Sequence, residues 1–258
     1  MEGIPLPQVK PKVALLRYTP APEELIALAG KLCYSASDLE DLQEGVARRD
    51  QSKYLGRLMD MGHLSPVEHA SFTFGIEGVS RSFLAQITRH RIASFSVQSQ
   101  RYVALGDDET GFDYVMPPAI EALGEEAAAE YRAQMETINT WYQTWRKRLG
   151  DGEKSNEDAR FVLPNASATR MLVTMNAREL QHFLALRCCN RAQREIRAVA
   201  WEMLRLAREA APKLFESAGP GCLRGPCPEG KKCCGKAAEV RERSEALNAS
   251  LADTERND

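Results

Sequence analysis

Apolar side chains recur along the chain with the two periods that distinguish strands from helices. Phe72, Phe74 and Ile76 stand at every second position between residues 70 and 79, which is the period of a half-buried strand. Residues 13–18 are mostly apolar and lie between two prolines, so they predict an early, largely buried strand.

Helical spacing dominates the remaining apolar pattern. It predicts helical segments over residues 21–42, a helix that ends near Gly62 and another that begins at about Arg81. A longer helix, which stops at Gly150, carries one apolar stripe that we interpret as core or interface rather than as a cofactor site. The stripe comprises Tyr131, Met135, Ile138, Tyr142, Trp145 and Leu149.

The second half of the chain completes the predicted fold. Residues 151–158 are polar and predict a loop, residues 160–164 lead into two more helical stretches, and residues 196–207 keep helical spacing. The charged residues from Glu239 onward predict a disordered or solvated tail. Short strands among long helices predict an α+β fold, with a central, mostly antiparallel sheet flanked by long helices. We expect a single domain over residues 1–217, and a Cys/Gly/Pro-rich loop and tail over residues 218–258.

Composition and charge limit the class of protein. The formal net charge of −2 argues against a general nucleic-acid or membrane-surface binder, because such proteins rely on an excess of Lys and Arg. Neither a secretory signal nor a long apolar run is evident, so the cytoplasm is the expected compartment. The odd count of 7 cysteines favours reduced thiols over a disulfide framework in that compartment.

The candidate chemistry lies between residues 89 and 102. Arg89, His90 and Arg91 open this segment, and hydroxyl, amide and guanidinium donors follow them. Such donors suit phosphate and uracil-like groups. From the residues alone, a charged helix end that runs into a solvated loop is an equally good interpretation.

Three motifs in order resemble the flavin-dependent thymidylate synthases. The first is Arg-His-Arg at 89–91, followed by seven residues and then Ser99; the second is Gly-His-Leu-Ser-Pro-Val-Glu-His at 62–69. The third extends over residues 176–197, and the resemblance as a whole covers about residues 13–215. Ser96 and Val97 depart from the Asn-Glu of many members, so a contact made there would come from the backbone or from Gln98.

The resemblance implies a site for FAD, dUMP and folate where the subunits of a homotetramer meet. The residues that it places at the flavin are His63, Ser65, Glu68, Arg89, His90, Arg91, Asn176, Arg178 and His182. Those that it places at the nucleotide are Gln86, Arg89, Gln98, Ser99, Gln100, Arg101, Arg160 and Arg187.

The resemblance also implies the reaction. NADPH would reduce FAD, methylenetetrahydrofolate would give its one-carbon unit to dUMP, and dTMP would leave with tetrahydrofolate. Arg187 matches the arginine that activates the uracil ring by stabilising negative charge as N3 loses its proton, without an enzyme nucleophile. We therefore assign Ser99 to nucleotide binding, because a nucleophilic serine needs an oriented base beside it.

Some of these residues could have structural roles instead of functional ones. Arg160, Arg178 and Arg187 could equally form ion pairs with acids such as Glu179 or Glu195. His63 could be an ordinary loop or core histidine. For the whole chain, the alternatives are a module that binds RNA and an inactive relative that keeps the fold.

The cysteines near the C-terminus have two interpretations. Cys222, Cys227, Cys233 and Cys234 could bind zinc or could be reduced thiols in a flexible loop. Adjacent cysteines cannot easily both bind one ion, so we favour the thiols and expect no metal. Two more cysteines, at positions 188 and 189, are expected to pack within a helix.

Overall fold

The computed structural model describes residues 5–107, 110–150 and 152–254. Its strands are β1 (Lys12–Tyr18), β2 (Ser71–Ser80), β3 (Ala93–Val97) and β4 (Ala168–Asn176). Its α-helices are α1 (Pro22–Leu32), α2 (Leu39–Ala47), α3 (Ser52–Asp60), α4 (Arg81–Ile87), α5 (Pro118–Glu121), α6 (Glu125–Leu149), α7 (Glu153–Ala159), α8 (Ala177–Arg187), α9 (Arg194–Ala210), α10 (Pro212–Phe215) and α11 (Ala237–Thr254).

The strands form an antiparallel sheet with the order β1-β2-β4-β3. Hydrogen bonds at both ends of the β2–β4 pair fix their register. Arg81 N donates to Ser167 O at 3.1 Å, and Ala177 N donates to Ala70 O at 2.8 Å. This sheet and its helices confirm the predicted α+β class; the single domain and the homotetramer stay predictions.

The chain folds as two compact units that alternate along the sequence. Unit 1 comprises Met1–Lys12, Ile76–Arg89 and Phe95–Leu172, and unit 2 comprises Val13–Gly75, His90–Ser94 and Val173–Asp258. In unit 1, one core cluster consists of Phe112, Tyr114, Met116, Ala128 and Met135. In unit 2, the rings of Phe72 and Phe215 pack edge to face with centroids 5.2 Å apart.

Several predicted elements are confirmed, together with their local causes. In β2, Phe72, Phe74 and Ile76 are buried, as the period of two predicts. The side chain of Ser80 accepts a hydrogen bond from Phe83 N and begins α4. Helix α6 ends at Gly150, whose φ of 93° is the left-handed conformation that favours glycine.

Two secondary-structure predictions need correction. Strand β1 is present but mostly exposed, since it lies at the edge of the sheet, so the prediction of a largely buried strand is wrong. Strand β4 replaces predicted helix: Thr169, Met171, Val173 and Met175 are buried in alternation. Methionine is a good helix former, but here the pairing of β4 between β2 and β3 and the burial of one face decide the conformation.

The polar segment after Gly150 is a helix rather than the predicted loop. Helix α7 has no apolar stripe, and tertiary hydrogen bonds hold it instead. Ser155 Oγ donates to Arg146 O at 2.8 Å, and Arg146 Nε donates to Asn156 Oδ1 at 3.0 Å. Residue 151 of the predicted loop lies outside the described residues.

The prediction of a disordered tail is wrong over its described part, which forms α11, whereas the alternative of a solvated tail agrees with that helix, most of whose described side chains are exposed. Val240 and Ser244 are buried, and the guanidinium of Arg243 lies 4.2 Å from the centroid of the Trp201 ring. A cation on an indole face and a few buried contacts supply the anchoring that the charged sequence does not suggest. The boundary between residues 217 and 218 stays a prediction.

Within the described ranges, no helix has both the length and the apolar character needed to cross a bilayer.

Candidate active site

A buried polar interaction in unit 2 joins His90 to Glu179. His90 follows α4 in the chain, and Glu179 lies in the first turn of α8. His90 Nδ1 and Glu179 Oε1 are 3.0 Å apart, with the two side chains only 5% and 9% exposed. A buried carboxylate needs such a partner, because an isolated charge in the protein interior is costly.

Arg187 completes a relay of three side chains. Its Nε donates to His90 Nε2 at 3.0 Å, and a guanidinium can only donate. Nε2 therefore carries no proton, and the Nδ1–H of a neutral imidazole donates to Glu179. Burial lowers the pKa of His90, and the nearby Arg187 charge lowers it further, although the Glu179 hydrogen bond opposes both effects.

A cleft of about 730 Å³ lies in unit 2, beside this relay. Glu179 lines it together with four residues that were predicted to bind the flavin, which are Glu68, Asn176, Arg178 and His182. Apolar side chains, including Leu64 and Ile92, form other parts of its wall. The cleft thus combines charged, amide and apolar groups, as ligand sites commonly do.

Local contacts position the cleft residues. Arg178 Nη1 donates to Glu68 Oε1 at 2.5 Å, so this arginine pairs with Glu68 rather than with the acids considered from the sequence. Asn176 Oδ1 accepts from Glu179 N at 2.9 Å and begins α8. The rings of His182 and His90 are 6.1 Å apart.

In unit 1, the predicted nucleotide-binding residues form a tight turn after β3. Ser99 Oγ accepts from Arg101 N at 3.1 Å and from Tyr102 N at 3.3 Å. Arg101 Nε donates to Glu153 Oε1 at 2.8 Å, and Asn156 Nδ2 donates to the carbonyl of Arg101 at 3.2 Å. Helix α7 therefore holds the turn that presents these donors.

Among the other predicted residues of unit 1, Gln98 and Gln100 belong to the same segment after β3, whereas Gln86, Arg89 and Arg160 lie elsewhere in the chain. Arg160 Nε donates to the carbonyl of Glu157 at 3.0 Å. Burial lowers the pKa of Arg81, and the nearby positive charge of Arg160 lowers it further. Gln98 lines a second cleft, of about 660 Å³. Gln86 and Gln100 are half-buried, and Arg89 is exposed.

The remaining predicted residues of unit 2 lie on the turn before β2 and just after His90. The His63 ring packs edge to face against Tyr34 with centroids 6.2 Å apart. The carbonyl of Ser65 accepts from Glu68 N at 3.2 Å, and Arg91 is exposed. These three residues do not line the unit 2 cleft.

Three charged residues that interact with predicted site residues were not themselves predicted to belong to the site. Glu179 was considered only as an ion-pair partner for an arginine, and Glu153 was placed in a loop. Arg81 was noted only as a helix start. The available signal for Glu179 was its position three residues after Asn176, where a helix cap puts it in the first turn.

Comparison with known proteins identifies the family. The family model described as thymidylate synthase complementing protein matches residues 14–213. A flavin-dependent thymidylate synthase of Geobacter sulfurreducens is 53% identical over 232 residues, which cover 89% of this chain and 96% of that protein. Another from Clostridium tetani is 46% identical over 243 residues, which cover 90% and 96% respectively. The chain therefore belongs to the flavin-dependent thymidylate synthase family.

A solved structure agrees with this fold. The UMP/dUMP methylase PolB from Streptomyces cacaoi, bound with 5-Br dUMP, matches 82% of this chain and 95% of its own with a TM-score of 0.67. The sequence identity is 24%, so the likeness shows the fold alone.

Proposed function

We propose that this chain methylates dUMP to dTMP, with methylenetetrahydrofolate as the one-carbon donor and with FAD, reduced by NADPH, as the hydride carrier. Its membership of the flavin-dependent thymidylate synthase family supports the reaction class. The observation that carries the assignment to particular residues is the buried Glu179–His90–Arg187 relay beside the unit 2 cleft.

The donor set of the cleft fits a flavin. Arg178 offers charged hydrogen bonds for an anionic pyrophosphate or for the carbonyl oxygens of the ring, and His182 and Asn176 add further polar groups. Leu64 and Ile92 supply apolar surface for a flat aromatic ring system. When bound there, FAD supplies hydride chemistry that side chains cannot perform.

Arg187 is the proposed catalytic residue. A guanidinium stays protonated at any physiological pH, so it can stabilise the negative charge that develops on uracil when N3 loses its proton. Its hydrogen bond to His90 fixes its orientation before the substrate arrives, and a preorganised donor needs no reorganisation during the reaction. Glu179 supports this arrangement by holding the Nδ1 proton of His90.

The turn at residues 98–101 is the proposed nucleotide site. Arg101 can exchange its partly exposed pairing with Glu153 for a phosphate, since exposed ion pairs contribute little free energy. Ser99, Gln100 and Gln98 would add neutral hydrogen bonds, and Arg160 and Gln86 would complete the set. The predicted homotetramer would bring such sites to subunit interfaces. The cytoplasm stays the predicted compartment.

Purified chain reconstituted with FAD tests the proposal. NADPH oxidation should produce dTMP only when both dUMP and methylenetetrahydrofolate are present, because the reducing equivalents end in the new methyl group. Protein that binds FAD and oxidises NADPH, but forms no dTMP, would support the inactive relative instead. Failure to bind FAD at all, with salt-dependent binding of RNA, would support the RNA-binding module.

A further inference from the structure

Two residues in the wall of the unit 2 cleft come from beyond the part of the chain that the family model matches. That match covers residues 14–213, whereas Ser217 and Arg224 lie between α10 and α11. Both line the cleft together with Arg178 and His182. Arg224 belongs to the predicted Cys/Gly/Pro-rich loop, to which no site residue was assigned. It is therefore an additional basic residue at this cleft.

A neutral group orients the side chain of Arg224. Its Nη1 donates to the carbonyl of Ser217 at 3.0 Å, and this bond uses one of the five N–H donors of a guanidinium. Within the described ranges, no carboxylate forms an ion pair with Arg224. Arg178, by contrast, pairs with the carboxylate of Glu68. Of these two arginines, Arg224 is thus the better placed to bind a strongly anionic group.

Three carboxylates also line the cleft, and two of them already have partners. Glu68 pairs with Arg178, and Glu179 pairs with His90. Asp60, the third, is exposed at the end of α3, where solvent and salt screen its charge. The cleft can therefore accept an anion despite its acidic residues.

Two other arginines hold the backbone of the segment that carries Arg224. From α9, the buried Arg208 donates to the carbonyl of Ala218 at 3.1 Å. From α11, Arg241 Nε donates to the carbonyl of Cys222 at 3.0 Å. The segment is therefore fixed on both sides by helices, and a donor that is positioned in advance loses less entropy when a ligand binds.

We propose that Arg224 is a further cofactor-binding residue, which holds the pyrophosphate of FAD in the unit 2 cleft. This assignment rests on the proposed function, which places FAD there. The planar fork of an arginine matches phosphate oxygens. A pyrophosphate needs positive charge that is not already paired, whereas the carbonyl oxygens of the flavin ring can be satisfied by neutral donors. The C-terminal segment would thus take part in cofactor binding.

Flavin titrations of the full chain test the role of Arg224. The Kd values of FAD and of riboflavin, which lacks phosphate, are measured by quenching of flavin fluorescence. Arg224→Ala should weaken FAD binding by about tenfold or more, which is the usual effect of losing a charged hydrogen bond. Its affinity for riboflavin should equal that of the wild type.

A matched control comes from the same segment. Lys232 is an exposed cation that does not line the cleft, so Lys232→Ala should bind FAD as the wild type does. Arg224→Lys should recover part of the lost affinity, since it keeps the charge without the fork. The Tm of Arg224→Ala should match that of the wild type, because the exposed side chain makes one hydrogen bond to the backbone.

Four results would overturn the assignment. Equal FAD affinities for wild type and Arg224→Ala would remove Arg224 from the site and leave the proposed function intact. An equal loss of FAD and riboflavin affinity would place Arg224 at the ring. Normal FAD binding with a raised KM for dUMP would assign it to the phosphate of the nucleotide. Wild-type protein that binds no FAD would overturn the proposed function together with this inference.

Discussion

Arg187 Nε donates a hydrogen bond to His90 Nε2 across 3.0 Å. His90 in turn holds its other ring nitrogen against the buried carboxylate of Glu179. Because Arg187 can only donate hydrogen bonds, His90 Nε2 must accept, and the remaining ring proton lies on Nδ1 and faces Glu179. The neutral imidazole of His90 thereby orients the guanidinium of Arg187.

Replacement of Arg187 tests the proposed catalytic charge. Arg187→Ala should lower kcat for dTMP formation by about 10²–10³-fold, which is the usual effect of removing one preorganised donor. Arg187→Lys should recover only part of this loss, since an ammonium keeps the charge without the planar fork. The control is Arg48→Ala, which removes an exposed arginine paired with Glu44. Equal turnover by Arg187→Ala and the control would exclude Arg187 from catalysis.

Replacement of Glu179 tests its positioning role. Glu179→Gln keeps the shape but removes the charged acceptor of the Nδ1–H, so we expect kcat to fall by about tenfold or more, from the strength of a charged hydrogen bond. Because Glu179 raises the pKa of His90, the substitution should lower that pKa further. NMR titration of the His90 ring measures the shift. An unchanged His90 pKa would contradict the relay even if kcat fell.

The relay also predicts how stability depends on pH. Burial lowers the pKa of His90 below the ordinary histidine value of 6.5, so the unfolded chain takes up this proton at a higher pH than the folded chain does. The His90 contribution to stability should therefore be constant above about pH 6.5 and fall as the pH drops from there to the folded-state pKa. Thermal unfolding of wild type and His90→Gln across this range measures the difference. Parallel curves for the two proteins would contradict the prediction.

Arg178 should matter for flavin binding more than for folding. Its pair with Glu68 is about half exposed on both sides, and such pairs contribute only about 0–1 kcal/mol to stability. Arg178→Ala should weaken FAD binding by about tenfold or more if the guanidinium makes a charged hydrogen bond to the flavin. Quenching of FAD fluorescence gives the Kd, with Arg205→Ala on α9 as the control. Identical affinities in the two variants would remove Arg178 from the flavin site.

Arg208 should be required for the C-terminal helix to stay attached. It is 2% exposed, and it donates to the carbonyls of Phe215, Glu216, Ala218 and Ser244. Arg208→Ala should cost about 3 kcal/mol or more, because it leaves buried acceptors without donors.

Thermal melting measures that cost, with a fall in Tm of about 10 °C expected for a chain of this size. Arg205→Ala is again the control, since Arg205 pairs near the surface with Glu202 and Glu209. Equal Tm values for the two variants would show that the buried carbonyls find other donors.

The elements with a clear apolar period could be predicted from the sequence, and those held by polar contacts could not. Strand β2 follows from its alternation, and α6 follows from its stripe and its terminal glycine. Helix α7 depends on contacts with Arg146 of α6, to which Ser155 donates and from which Asn156 accepts, and α11 depends on Arg208 and Trp201. These contacts are specific polar or cation–ring pairs between different helices, so no apolar period along the chain indicates them.

The candidate site could likewise be predicted only in part from the sequence. The family motifs identified four residues that the structure brings together in the unit 2 cleft. They did not indicate that Glu179 would orient His90, because the sequence alone does not distinguish a buried glutamate from one at the surface. The orientation of Arg187 could likewise be known only once α8 and the segment after α4 were placed together.

The most direct test of the proposed function is the release of tritium from C5 of labelled dUMP. Methylation must replace the hydrogen at that carbon, so FAD-loaded wild-type protein with NADPH and methylenetetrahydrofolate should release tritium to water in proportion to the dTMP formed. Arg187→Ala that still binds FAD should release it at least about 10²-fold more slowly. Wild-type protein that binds FAD and dUMP, yet releases no tritium with all substrates present, would contradict the account.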